Sequence, residues 1–191
     1  WLENLDPGEG YKQSGAKLSN LDLGLKPLEK FNGKEKTLLV SVHGSRSEGY
    51  EWIYPLQTLD TIKSATFFFR WDDNKCYASS AKKLIQYLSE VIKNHPNLKK
   101  AVVIGHSYGG VLVTSIIESW EHSMAIEIHS IAGPIKSAFS TGGCSYSPPQ
   151  GIPDKVTFYQ WRTQHHLDTA FKMLKNDPQN LKLKGSKVTR L

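Results

Sequence analysis

The chain has 191 residues, of which 39% are hydrophobic and 22% charged, with a formal net charge of +6. This composition is typical of one globular domain with a sizeable core. No apolar run approaches the roughly 20 residues of a membrane-spanning helix, and no nucleic-acid-binding motif is present. Most of the positive charge lies in residues 172–191. That segment predicts a solvated surface, with a site for an anionic partner as the alternative.

The first third of the chain predicts an N-terminal arm followed by a buried strand. Residues 1–35 have no clean period, so we expect an arm with one short strand or turn that packs through its leucines, at positions 18, 21, 23, 25 and 28. Residues 37–42 then form an apolar strand that ends in His43-Gly44-Ser45. Residues 48–59 follow, and the aromatic residues Trp52 and Tyr54 among them could pack in the core.

The next stretch predicts a strand over 65–71 and an amphipathic helix over 78–94, with apolar residues at helical spacing. Asp72 and Asp73 follow the strand directly. Two adjacent carboxylates could bind a cation, but without further ligands they are more typical of a solvated turn or a helix start. No metal site is therefore predicted.

Residues 101–117 contain the most informative pattern. A short β-branched run, Ala101 to Ile104, leads into Gly105-His106-Ser107-Tyr108-Gly109 and then into an apolar stretch long enough for a buried helix. A strand, a tight turn with a serine at its apex and a helix are the context that a nucleophile elbow requires. Gly105 and Gly109 lack the Cβ atoms that would collide there. The alternative is a phosphate-binding turn, but neither Gly-Lys-Ser/Thr nor G-x-G-x-x-G is present.

The last third alternates strands with connections. We predict strands over residues 125–132, 156–161 and 187–191, and a long loop over 136–154 that leaves room only for a small lid. Strands that alternate with helices favour a parallel sheet with right-handed crossovers.

From residue 37 to residue 191 the chain resembles the α/β-hydrolase superfamily, and its size is similar to that of compact bacterial lipases and esterases. The resemblance depends on three stretches, VSVHGS, VVIGHSYGG and VTFYQWRTQHHLDTAF. It implies a three-layer α/β fold, with a mostly parallel central sheet between helices and little or no cap. The N-terminal arm, residues 1–35, would precede a single domain over residues 36–191.

The resemblance also implies a site. Ser107 would be the nucleophile, and the backbone N–H groups of Ser45 and Tyr108 would form the oxyanion hole. We expect His43 to hold the oxyanion loop by hydrogen bonds and to border the substrate together with Trp52 and Tyr54. The resemblance further implies a helix within residues 48–59 beside the site, where these two aromatic residues could line an acyl pocket or pack in the core. Asp168, in the loop after residue 161 and at the start of a D-x-x-F spacing that suggests a helix, would be the catalytic acid; a helix N-cap is its alternative role.

The catalytic histidine is less well defined. In the superfamily it follows the last strand, and this sequence ends at Leu191. Either the chain stops before that loop, or a histidine of the acid loop acts instead. Of the two in that loop, His166 is the preferred candidate over His165, although both could simply be packed or solvated residues near a helix start.

These residues predict a serine hydrolase that cleaves small-molecule or lipid esters through an acyl-enzyme and needs no cofactor. The alternative is a non-catalytic protein of the same fold that lacks the histidine. Cys76 and Cys144 have no metal-binding spacing and could be buried thiols; the resemblance also allows a bridge across the rim of the site. We expect a secreted or periplasmic protein, with a cytoplasmic one left open.

Overall fold

The computed structural model describes residues 1–136 and 145–191. Within them, seven strands form one sheet in the order β1-β3-β2-β4-β5-β6-β7. All neighbouring strands are parallel except β1 and β3, which run antiparallel. The predicted mostly parallel sheet is therefore confirmed. The strands are β1 Gly24–Pro27, β2 Thr37–Val42, β3 Ser64–Arg70, β4 Lys100–His106, β5 Ala125–Ile131, β6 Val156–Arg162 and β7 Lys187–Arg190.

Helices cover both faces of the sheet, which confirms the predicted three layers. They are α1 Tyr11–Ser19, α2 Ile53–Leu59, α3 Tyr77–Asn94 and α4 Tyr108–Ser115, with short 3₁₀ turns at Leu2–Asn4, Tyr50–Trp52 and Ile117–Ser119. One core joins α3 and α4 to one face of the sheet. The other joins α2 and the N-terminal residues to the opposite face.

The central strands belong to both cores because successive residues point to opposite faces. In β2, Leu38 and Val40 pack toward α3 and α4, whereas Leu39 packs toward α2. The sequence of a strand that is buried on both faces is a continuous apolar run, without the alternation of apolar and polar residues found in a half-buried strand. That is why β2 and β4 are recognisable in the sequence as short runs of aliphatic residues.

Residues 1–35 contain more structure than the sequence predicts. The expected short strand is β1, which extends the sheet beside β3, but α1 was not foreseen. The helix carries Gly15, a poor helix former, at a point where a Cβ would lie 2.6 Å from the backbone nitrogen of Tyr50. Leu18 and Leu28 are buried as expected, whereas Leu23 is 58% exposed.

Candidate active site

The turn between β4 and α4 places Ser107 at its apex. Ser107 has φ 53° and ψ −120°, a positive φ that non-glycine residues rarely adopt. A Cβ on residue 105 would lie 2.2 Å from the carbonyl oxygen of Gly109, and one on residue 109 would lie 2.4 Å from the carbonyl oxygen of Val42. The predicted steric need for both glycines is therefore confirmed.

The loop after β2 packs directly against this turn. A Cβ on residue 44 would lie 3.0 Å from the Cβ of Ser107 and 3.1 Å from the carbonyl oxygen of His106. Strands β2 and β4 are parallel neighbours, so their carboxyl ends meet at the same edge of the sheet. The two loops border a cleft of about 210 Å³, lined by Gly44, Ser45, Arg46, Ser47, Glu48, Tyr50, Glu51, His106 and Ser107.

Two backbone N–H groups beside Ser107 are free to donate. The N–H of Ser107 itself donates to the carbonyl oxygen of Ile131 at 2.8 Å. Within the part of the chain that the structure describes, the N–H groups of Ser45 and Tyr108 have no acceptor. The Tyr108 N–H is one of the groups that the first turn of an α-helix leaves unpaired.

His43 holds the loop but does not border the cleft. Its side chain is buried, at 2% exposure, between the rings of Phe68 and Trp71. Both ring nitrogens make hydrogen bonds inside the protein, with the Gly44 carbonyl oxygen and with donors of Arg70 and Trp71. The expected place beside a substrate is thus corrected, because the ring faces the interior.

The aromatic residues considered for an acyl pocket do not converge on the cleft. Trp52 is 2% exposed and packs on Phe68 in the core beneath α2, so its expected contact with substrate is also corrected. Tyr54 is 69% exposed on α2 and does not line the cleft. The Tyr108 ring packs against Trp71, and Trp161 lies on a sheet face where its Nε1 donates to His129 Nδ1 at 3.0 Å.

Asp168 lies in the loop after β6, at the same edge of the sheet as Ser107. Its Oδ1 accepts from the Ala170 N–H at 2.9 Å and its Oδ2 accepts from the Thr163 hydroxyl. The helix expected to start here is a single turn, closed by the Lys172 N–H on the Asp168 carbonyl oxygen. Burial lowers the pKa of His106, and the charges of Glu51 and Asp168 partly oppose that shift. Asp168 therefore acts electrostatically on the residue beside Ser107.

The histidines of the acid loop are not paired with the other candidates. His166 is exposed, and His165 is partly buried with an unpartnered Nε2. Among the described residues, no hydrogen bond joins either ring to Ser107 or Asp168. The structure brings Ser107, Ser45 and Tyr108 together, but it does not complete a hydrogen-bonded triad.

Sequence reasoning missed two features of the cleft. Arg46 and Glu51 give it charged walls, and the Glu51 carboxylate accepts from the Ser47 hydroxyl. Asp73, considered as a cation ligand or as part of a solvated turn or helix start, accepts a hydrogen bond from the Arg46 N–H. The signal for Asp73 was its position immediately after β3, the parallel neighbour of β2. Its neighbour Asp72 does behave as a turn residue, bonded to the Asn74 N–H and paired with Lys75.

Other predicted features fall outside the cleft. No cluster of three or more metal-ligating side chains occurs within residues 1–136 and 145–191. In the basic segment, Arg190 pairs with Asp177 at 3.4 Å, and Lys187 lies over the Tyr159 ring at 4.8 Å. Cys76 is disulfide-bonded, and Cys144, like part of the predicted lid loop, lies outside the described residues. None of the described helices has the length and apolarity to cross a membrane.

The fold is that of the α/β hydrolases. Est1E from Butyrivibrio proteoclasticus superposes with a TM-score of 0.58 at 14% identity, over 87% of this chain and 82% of that one. A hormone-sensitive lipase from a metagenome library also superposes at 0.58, with 12% identity over 99% and 76%. The esterase domain of a Rhodothermus marinus protein gives 0.51, with 12% identity over 87% and 80%. At these identities the likeness establishes the fold alone.

The sequence match covers less of this chain than the structural matches do. No family model matches the chain. Protein PNS1 of Cryptococcus neoformans is 32% identical over 104 residues, which make up 54% of this chain and 18% of that protein. The match thus spans less than a fifth of the curated relative. This relative is fungal, so the likeness to bacterial lipases stays a prediction.

Proposed function

We propose that the chain is a serine hydrolase that cleaves carboxylic esters through an acyl-enzyme intermediate. One observation carries the proposal: Ser107 stands at a positive φ between β4 and α4, against the Gly44 loop and beside two free N–H groups. Esterases and a lipase among the structures of the same fold support it.

The proposed reaction has two halves. Ser107 Oγ attacks the ester carbonyl while its proton passes to a histidine; the alcohol then leaves with that proton, and water releases the acid by the same route. The N–H groups of Ser45 and Tyr108 would donate to the oxyanion of each tetrahedral intermediate. Loss of one such donor costs roughly 3 kcal/mol of barrier in comparable sites. Asp168 would orient the imidazole and stabilise its protonated form.

His166 is the proposed base, with His165 as its alternative. The His166 imidazole is exposed and makes no hydrogen bond among the described residues, so it is free to turn toward a bound substrate. Hydrogen bonds of catalytic groups are often absent in a protein without ligand and form in the complex. Its loop follows β6, at the sheet edge that also carries Ser107.

The described cleft supports a small and polar ester as substrate. Its volume of about 210 Å³ lies below the 300–1,000 Å³ of typical ligand pockets. Arg46, Glu48 and Glu51 give it charged walls. Neither Trp52 nor Tyr54, the residues expected to line an acyl pocket, borders it, although Tyr50 does. We therefore propose short-chain esters over long-chain lipids.

A non-catalytic binding protein of the same fold is the second candidate. The observation that favours it is the lack of a hydrogen bond between a described histidine and Ser107. Against it, a chain without catalysis has no physical reason to retain a serine at a costly backbone conformation.

The deciding experiment is fluorophosphonate labelling of the intact natural protein, followed by intact-mass and peptide mapping. We expect one adduct, on Ser107, and hydrolysis of a short aryl ester that is lost in Ser107→Ala. Ser115→Ala, in the last turn of α4, is the matched control, since its hydroxyl bonds only to the Leu112 carbonyl oxygen. No adduct in the wild type, or hydrolysis that survives Ser107→Ala, would favour the binding protein. Labelling that survives both His165→Ala and His166→Ala would exclude the acid-loop histidines as base.

We propose a secreted or periplasmic location. The disulfide at Cys76 supports an oxidising compartment, because cytosolic thiols are normally kept reduced.

A further inference from the structure

His43 is held in one tautomer by its partners. Its Nε2 lies 2.9 Å from Arg70 Nη1 and 3.1 Å from the Trp71 backbone nitrogen, both of which can only donate. Nε2 is therefore the acceptor, and the ring proton is on Nδ1. Nδ1 lies 2.7 Å from the Gly44 carbonyl oxygen and donates to it.

This hydrogen bond orients the oxyanion loop through one peptide unit. The carbonyl oxygen of Gly44 and the N–H of Ser45 belong to the same planar trans peptide, so they point in opposite directions. Because His43 draws the carbonyl oxygen into the protein interior, the Ser45 N–H points outward. Ser45 and Ser107 line the same cleft, so the space outside this loop is the space beside the nucleophile.

Asp73 holds the following peptide unit. Its Oδ2 accepts from the backbone N–H of Arg46, which has φ 55°, a left-handed conformation that non-glycine residues rarely adopt. The chain on either side of Ser45 is thus held by the end of β3 and the residues that follow it, by Arg70 and Trp71 through His43 and by Asp73 directly. The Trp71 indole adds a third link, since its Nε1 donates to the His43 carbonyl oxygen at 2.9 Å.

We propose that His43 and Asp73 are positioning residues that together aim the Ser45 N–H at the oxyanion of the Ser107 reaction. The inference rests on the proposed function. It adds Asp73 as a second anchor beside the loop-holding role already expected of His43, and neither residue touches the substrate. It predicts that their loss weakens binding of the transition state more than binding of the substrate.

The electrostatic setting keeps this arrangement in place near neutral pH. Burial lowers the pKa of His43, and the charge of Arg70 acts in the same direction. A neutral ring is required, because a proton on Nε2 would remove the acceptor used by Arg70 and Trp71. The carboxylates of Asp73 and Glu51 oppose the shift.

The test compares matched variants on each anchor. His43→Phe removes the donor to Gly44, and His43→Asn restores an N–H donor of similar reach to Nδ1. Asp73→Ala removes the acceptor for the Arg46 N–H, and because this hydrogen bond lies at the protein surface we expect the variant to fold. Asp73→Asn keeps an acceptor oxygen. Asp72→Ala is the control, since that neighbouring carboxylate bonds only within its own turn.

We expect kcat for a short aryl ester to fall at least tenfold in His43→Phe and Asp73→Ala, with KM changed less than about threefold. His43→Asn and Asp73→Asn should recover most of the loss. The inhibition constant of a trifluoromethyl ketone, which mimics the tetrahedral intermediate, should rise in proportion to the fall in kcat/KM. Asp72→Ala should leave all three quantities unchanged.

Backbone ¹⁵N relaxation of the Ser45 and Arg46 amides provides a measurement without substrate. These amides should become more mobile in Asp73→Ala and His43→Phe but not in Asp72→Ala. Unchanged mobility would overturn the inference whether or not the protein is a hydrolase. If the wild type hydrolyses the ester and Asp73→Ala keeps the full kcat, the inference is wrong while the proposed function still stands. If the wild type neither hydrolyses the ester nor labels at Ser107, the proposed function is contradicted.

Discussion

The Cβ of Ser107 lies 3.0 Å from the point that a Cβ on Gly44 would occupy. The turn after β4 and the loop after β2 therefore touch where only a glycine leaves room. This contact brings the loop that carries Ser45 against the turn that carries Ser107, and the proposed reaction depends on that geometry.

Gly44→Ala should lower kcat for a short ester about 100-fold, because the added methyl group pushes the loop away from Ser107 by a few tenths of an ångström or more. The effect should appear in steady-state kinetics with little change in the melting temperature. Gly151→Ala is the control, since a Cβ on residue 151 would meet no atom within 4 Å. Equal kcat in both variants would contradict the assigned contact.

Gly105→Ala should destabilise the whole domain. A Cβ on residue 105 would lie 2.2 Å from the carbonyl oxygen of Gly109 and 2.5 Å from its carbon, both backbone atoms that cannot move without shifting α4. We expect a loss of about 3 kcal/mol in the free energy of unfolding, measured by urea denaturation. A loss below about 1 kcal/mol would mean that β4 and α4 can separate more easily than the structure indicates.

Arg162→Ala should also destabilise the protein, through the long connection between β6 and β7. The guanidinium is 8% exposed and donates to Gln160 Oε1 at 2.7 Å, to Asn180 Oδ1 at 2.9 Å and to the Leu181 carbonyl oxygen at 2.9 Å. Its removal leaves the buried Gln160 Oε1 without a donor, whereas the Leu181 carbonyl oxygen still accepts from Gln160 Nε2 and Asn180 is exposed, so we expect about 2 kcal/mol in urea denaturation. Arg190→Ala, at an exposed ion pair with Asp177, should cost under about 1 kcal/mol.

Stability should fall as the pH is lowered through 6 toward 5. Burial lowers the pKa of His43, His106 and His129, so the folded protein binds fewer protons than the unfolded chain below the ordinary histidine pKa of about 6.5. The contribution of these histidines to folding stability is complete above that pH. It is lost as the pH falls toward their lowered pKa values in the folded protein.

The His129→Asn variant tests this pH dependence, because the amide oxygen still accepts from the Trp161 indole. It should flatten the slope by up to about 1.4 kcal/mol per pH unit, the value for one proton. Urea denaturation at several pH values measures the slope. The same slope in wild type and variant would contradict the assignment of His129 as a neutral buried residue.

Local sequence patterns determined much of this protein. The aliphatic run in β2 and the spacing of Leu84 and Leu88 in α3 predicted elements whose bounds differ little from those observed, because strand and helix periods follow from neighbouring residues. The G-x-S-x-G turn was also predictable, since the close approach of β4 and α4 requires glycine at fixed positions near Ser107.

Tertiary structure alone decided which side chains meet. Trp52 and His43 turn into the interior, and Asp73 reaches the Arg46 N–H across 27 residues of sequence, because β2 and β3 lie side by side and end together. Sequence spacing carries no record of such pairing between strands. The proposed aim of the Ser45 N–H likewise depends on the Gly44 carbonyl oxygen, which accepts from a His43 ring held by Arg70 and Trp71 at the end of β3, and no local pattern could specify those partners.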